Sequence, residues 1–277
     1  MSTARLALRQ IRYTNLAFWR NPASAFFTFA FPLMFLVIFT GILGSGTTDF
    51  AVTVGGRVFE FPLDQSTYYV VAMASFGVLT ATYTNVAISV SFNRDAGILK
   101  RTRGTPLPPW AYLAGRVVHA MIISVILVAI TAAFGILFYG ADVPSGAPLL
   151  EFLAMLLVGG LSFCALGLAV TAIIPNADAS PAIVNATILP LNFLSGIFIP
   201  VGANAPAWMT TVSTIFPVKH FVAGMLGGFL GNVTFEGPGG VVVRAFPFRW
   251  LDVAIVAAWG IGGLILAARF FSWEPRR

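Results

Sequence analysis

The chain has 277 residues, of which 58% are hydrophobic and only 9% charged, with a mean hydropathy of +0.88. A soluble domain carries roughly 25% charged residues, so the composition excludes an ordinary water-soluble fold and points to an integral membrane protein. The net charge of +6 is spread over membrane-flanking segments without an aromatic-and-basic platform, which argues against nucleic acid as a partner.

Residues 1–22 place Ala4, Leu8, Ile11, Phe18 and Trp19 on one side of a helical wheel, with Arg5, Arg9, Arg12 and Arg20 on its flank. That pattern predicts an amphipathic helix lying in the membrane interface. Four arginines followed by a full-length span without an Ala-x-Ala exit do not make a cleavable signal. The first span, 24–44, is uncharged and rich in aromatics, including Phe27, Phe31 and Phe35, and Pro32 is expected to kink it. A polar loop follows, in which Val52-Thr-Val54, Gly55-Gly56 and Val58-Phe59 suggest a small hairpin.

The second span, 68–92, carries Ser75, Thr82, Asn85 and Ser89 on one helical face. A polar stripe inside a membrane faces the bundle interior or a cavity. Here it is either interhelical glue or the lining of a path. Residues 93–106 form the long basic segment between two apolar runs: Arg94, Lys100, Arg101 and Arg103 stand against one acid, Asp95. The spacing of Asp95, Leu99 and Arg103 predicts a short amphipathic helix that Gly104 and Pro106 end.

The third span, 110–140, begins behind Pro108 and Pro109 and holds His119 near its basic end, where a hydrogen bond to a neighbour is the expected role. In the fourth span, 150–174, Gly160, Cys164, Gly167 and Thr171 form a small-residue face for close packing. Cys164 is the single cysteine, which excludes an internal disulfide. After a short turn with Asp178 at the surface comes a short fifth span, 182–199, with Asn185, Asn192 and Ser195 near one face. Residues 205–231 contain two apolar runs too short to cross, punctuated by Pro206 and Pro217, which predicts a re-entrant helical hairpin. Gly237 to Gly240 reads as a flexible tip, and 251–271 is the last span. The fold class is therefore all-α and polytopic, a single domain of six transmembrane helices. Arginine and lysine bookkeeping puts both termini and the basic segment in the cytoplasm.

The chain shows no motor of its own. It has no Walker A phosphate loop and no Cys or His cluster with metal spacing. Ser162 or Ser195 could be paired on paper with His119 or His220 as an intramembrane serine hydrolase, but Gly160-Leu-Ser162 is weak evidence. A channel or structural membrane protein working without ATP is the other alternative.

Two segments carry a family resemblance. One is Arg94-Asp-Ala-Gly-Ile-Leu-Lys-Arg-Thr-Arg-Gly-Thr-Pro106. The other is the series Leu194-Ser-Gly-Ile-Phe-Ile-Pro200, Ala205-Pro-Ala-Trp208 and Phe216-Pro-Val-Lys-His-Phe221. Together they resemble the permease subunit of type-2 ATP-binding-cassette (ABC) exporters of drugs, lipids and glycans. Ile98, Gly104 and Met225-Leu226 depart from the family pattern.

The resemblance implies an ATP-driven exporter in the plasma membrane, with ATP and Mg bound by a separate ATP-binding-cassette subunit and no cofactor on this chain. A second permease, copy or paralogue, would complete the pump among the membrane lipids. The coupling helix, with Arg94, Asp95, Gly97, Leu99, Lys100, Arg101 and Arg103, would dock on the ATPase. Spans one, two and five would line the path, through Phe27, Phe31, Phe35, Thr82, Asn85, Ser89, Asn185, Asn192 and Ser195.

Overall fold

The computed structural model describes residues 3–43, 46–54, 57–105, 107–200, 205–236 and 242–274. In chain order they form α1 (Thr3–Trp19), α2 (Pro22–Leu43), β1 (Thr47–Val54), β2 (Arg57–Asp64) and α3 (Gln65–Leu79). A π-helical turn (Thr80–Thr84), α4 (Asn85–Asp95), α5 (Ile98–Arg103), α6 (Pro109–Tyr139), α7 (Ala147–Val170) and α8 (Ser180–Leu194) come next. The chain continues with α9 (Ala207–Ile215), α10 (Pro217–Phe229), β3 (Thr234–Glu236), β4 (Val242–Arg244) and α11 (Trp250–Phe270).

Among the described residues, five helical stretches are long and apolar enough to cross a membrane. They are α2, the continuous run Gln65–Asp95, α6, α7 and α11. The pair α9 and α10 bends by 88° at Phe216 and counts as a broken span or a re-entrant element, as its proline punctuation predicts. The expected fifth span is shorter than 182–199. Its helix, α8, has 15 residues, or about 22 Å at 1.5 Å per residue, against a hydrocarbon core of about 30 Å. The chain leaves the helix at Ser195 and Gly196, the latter with φ of 86°.

The stretch after α8 stays inside the protein, with Ile197 and Phe198 buried. Irregular backbone at membrane depth is tolerated only when its polar groups find partners. Here Tyr68 donates its hydroxyl to the Gly196 carbonyl at 2.7 Å, and Tyr69 donates to the Phe198 carbonyl at 3.1 Å.

The centre of the bundle is α3, where every residue from Ser66 to Leu79 is buried. A helix that is apolar all round belongs in such a place. By contrast, α2 leaves Phe26, Phe27, Met34 and Ile42 exposed. Pro32 lies inside α2 and Pro190 inside α8. Helices α10 and α7 pack backbone against backbone at Gly228. A Cβ on Gly228 would stand 2.5 Å from the Phe152 Cα, so only glycine fits there.

Side-chain contacts gather several segments at one end of the bundle. Tyr112 near the start of α6 meets Asn93 of α4 at 3.0 Å, and its ring lies 6.4 Å from that of Trp273. Arg94 reaches the end of α7, and Phe18 of α1 packs on His119. This basic end contains α1, α5, the α7–α8 turn and the chain after α11. The opposite end is tied by Arg244 to Glu151 at 2.7 Å, and by His220 Nδ1, 2.6 Å from Asp252 Oδ1. Two antiparallel hairpins, β1–β2 and β3–β4, complete the fold. The first agrees with the expected hairpin, although its Gly55-Gly56 turn lies outside the described residues. The second has no counterpart in the expected elements, and the expected tip at Gly237 to Gly240 also lies outside them.

Candidate functional site

The basic segment is an elbow. Instead of one helix over 93–106, α4 continues to Asp95, Gly97 turns left-handed at φ of 68°, and α5 occupies only Ile98–Arg103. A left-handed residue after a helix is a common stop, and glycine takes it without a Cβ penalty.

The expected coupling residues divide into an inner and an outer set. Arg94 is 1% exposed and faces inward. Its guanidinium donates to the Thr171 carbonyl at 3.1 Å and the Ile174 carbonyl at 2.8 Å, and its Nε donates to Asp95 Oδ1 at 3.3 Å. Asp95 in turn accepts the Ala177 backbone N–H. The last carbonyls of a helix have no partner within it, and here an arginine fork caps those at the end of α7. Leu99 is fully buried beside Val90 and Leu168. The outer set is Lys100 and Arg101, joined by the exposed Phe92 and Ile98, which the charge pattern did not single out. The Arg103 side chain lies outside the described residues.

Arg94 and Asp95 therefore clamp α4 to the turn that starts α8. The π turn that precedes α4, together with α8, lines a groove of about 280 Å³. Phe31 of α2, Phe76 of α3, Thr80 and Thr84 of the π turn, and Asn185 and Asn192 of α8 line it. No charged side chain is among its lining residues. Asn192 is 1% exposed, and its Oδ1 has no hydrogen-bond partner.

Of the expected path residues, Phe31, Asn185 and Asn192 meet in this groove. Phe35 packs against Phe31, with ring centroids 4.6 Å apart, and against Phe76. Phe27 is exposed on the outside of α2. Ser195 is buried and donates to the Asn192 carbonyl. Thr82 is fully buried and donates back to the Val78 carbonyl. Asn85 and Ser89 line a separate polar cavity beside α1 and α6.

The π turn explains this division. It inserts about one extra residue, and one residue is about 100° of helix rotation. A wheel drawn at constant pitch therefore joins Ser75 and Thr82 to Asn85 and Ser89, although they face different neighbours. The groove receives Thr80 and Thr84 instead. A π turn has no composition signal of its own, so the sequence offered none here.

Other expectations resolve simply. Asp178 is exposed, and Cys164 is buried in the helix packing. His119 does not make the expected hydrogen bond through Nδ1, which is buried without a partner. No hydrogen bond joins a serine to a histidine among the described residues: Ser195 bonds Asn192, and His220 contacts Asp252 and the Thr214 carbonyl.

Comparison with known proteins follows the same outline. The chain is 28% identical over 149 residues to the probable multidrug ABC transporter permease YbhR of Escherichia coli strain K12, and equally to YbhR of E. coli O157:H7. The shared stretch is 54% of this chain but spans only 39% of the length of either relative. The model of the ABC-2 type transporter family matches residues 8–230. That extent takes in most of α1, the elbow, the groove lining and the bent pair, and by it the chain belongs to the ABC-2 type transporter family, as a multi-pass transporter permease.

Proposed function

We propose that this permease is the membrane subunit of an ATP-driven exporter of amphipathic compounds, worked by a separate ATP-binding-cassette subunit. The observation that carries this reading is the clamp. The exposed surface of Phe92, Ile98, Lys100 and Arg101 is continuous with α4, and Arg94 and Asp95 bind α4 to the turn before α8. In this reading a push on that surface from the cytoplasm passes through α4 to the π turn and through the clamp to α8, the two elements that carry Thr80, Thr84, Asn185 and Asn192 of the groove. The permease supplies shape and leverage, and nucleotide chemistry belongs to the partner.

The groove supports an amphipathic cargo of the multidrug kind named for the relatives. Phe31, Phe76 and Leu79 offer apolar surface, while Thr80, Thr84, Asn185 and Asn192 offer hydrogen bonds without charge. A buried amide oxygen without a partner costs roughly 1–3 kcal/mol, and a donor on the cargo would recover it. A second permease packed across the exposed phenylalanines of α2 and α8 would close the open side, with both termini in the cytoplasm of a plasma-membrane complex.

Two measurements test the reading. In the complex reconstituted with its ATPase, Lys100→Glu with Arg101→Glu is expected to weaken subunit association at least tenfold while the permease remains folded. Undiminished co-purification would overturn the docking role of α5. Asn192→Leu is expected to change the rank order of compounds that stimulate ATP hydrolysis. An unchanged order would remove the groove from the path.

A further inference from the structure

The polar cavity at the basic end plays no part in the clamp or the groove. It has a volume of about 200 Å³ and lies where α1, the start of α2, α4 and α6 converge. Its polar lining includes Thr14, Asn21, Asn85, Ser89, Arg116 and His119, and no Asp or Glu is among its lining residues. Three of these side chains carry a buried atom without a hydrogen-bond partner: Thr14 Oγ1, Arg116 Nε and His119 Nδ1. Thr14 is 7% exposed and His119 6%.

A buried polar atom left without a partner costs roughly 1–3 kcal/mol. At about 200 Å³ the cavity is several times the roughly 30 Å³ share of one liquid water, so it has room for a polyatomic group. Arg116 forms no ion pair among the described residues, and its guanidinium carbon stands 5.5 Å from the centre of the Tyr112 ring. Asn21 accepts the Ser24 N–H through Oδ1, which leaves its amide nitrogen to donate. The lining thus offers a fixed positive charge and several donors, with no acid competing for them. That donor set matches an oxyanion with several acceptor atoms.

Depth narrows the source. The 31 residues of α6 extend about 46 Å, which exceeds a hydrocarbon core of about 30 Å by roughly 8 Å at each end. Arg116 stands seven residues from Pro109, about 10 Å along the axis. Its Cα is therefore near the boundary between acyl chains and headgroups, within reach of the phosphate plane by snorkelling. We infer that this cavity binds a phosphate oxyanion, presented at this depth by an acidic phospholipid, which joins α1 to α4 and α6.

Retained lipid, read by native mass spectrometry on the full purified chain after delipidation, tests the inference. Phosphatidylglycerol is expected to stay bound to the wild type. Its retention should fall at least tenfold in Arg116→Gln, while Arg5→Gln, an exposed change on α1, leaves it unaltered. Asn85→Leu fills the cavity and keeps the charge, so it should lose the lipid as well. Diacylglycerol, with the same tails and no phosphate, should not be retained. A thermal shift produced by inorganic phosphate alone, absent in Arg116→Gln, would assign the site to the free anion. Equal phosphatidylglycerol retention in the wild type, Arg116→Gln and Asn85→Leu, or equal retention of diacylglycerol, would overturn the proposal.

Discussion

Arg94→Ala is expected to destabilise the folded permease by roughly 3 kcal/mol, the scale for removing one partner of a buried charged network. The change strands the Thr171 and Ile174 carbonyls and leaves Asp95 without its guanidinium. Lysine should rescue only part of the loss, because an ammonium cannot reproduce a planar fork across two carbonyls. Thermal unfolding of the purified chain measures this directly. In the proposed complex the same variant should still bind the ATPase through Lys100 and Arg101 yet lose cargo-stimulated hydrolysis. Arg101→Ala should behave in the opposite way, with stability within about 0.5 kcal/mol of wild type and weaker association. If Arg94→Ala unfolds at the wild-type temperature, the clamp does not hold the elbow.

Gly228→Ala is expected to be as severe, through sterics alone. Its new Cβ would stand 2.5 Å from the Phe152 Cα and 2.6 Å from the Phe152 nitrogen. Neither backbone atom can swing aside as a side chain can, so α10 must move away from α7. Overpacking costs typically 1–3 kcal/mol, and a backbone obstacle places this case at the upper end. Gly262→Ala is the matched control, since a Cβ there meets nothing within 4 Å. Folded yield and unfolding temperature in detergent should separate the two variants, and equal values would contradict the described packing of the bent pair.

The membrane spans were legible because composition and length alone reveal a helix surrounded by lipid or apolar neighbours. The basic segment stood out because water-seeking charges are scarce in this chain. Its internal division did not. A count of cations cannot tell that Arg94 turns inward, because the carbonyls it caps lie some eighty positions away at the end of α7. Likewise, Asn85 and Thr82 fall on one line only at uniform pitch, and the π turn breaks that pitch. The end of α8 was hidden for a related reason: Ile197 and Phe198 are as apolar as a helix would require, and only their tyrosine partners show that the backbone there is not helical. Between Phe229 and Trp250 the strands β3 and β4 are three residues each, too brief for an alternating pattern to register.

Those tyrosine partners also bear on how the molecule can change shape. A helical rung breaks cooperatively, because each residue released costs its neighbours their own bonds. The segment that follows α8 is instead fastened to α3 by two phenol hydroxyls, one on each of two adjacent residues. Such a latch can exchange its carbonyls for water or for other donors one at a time. The segment just beyond Asn192 is thus a place where α8 and α3 can part with little loss of backbone order.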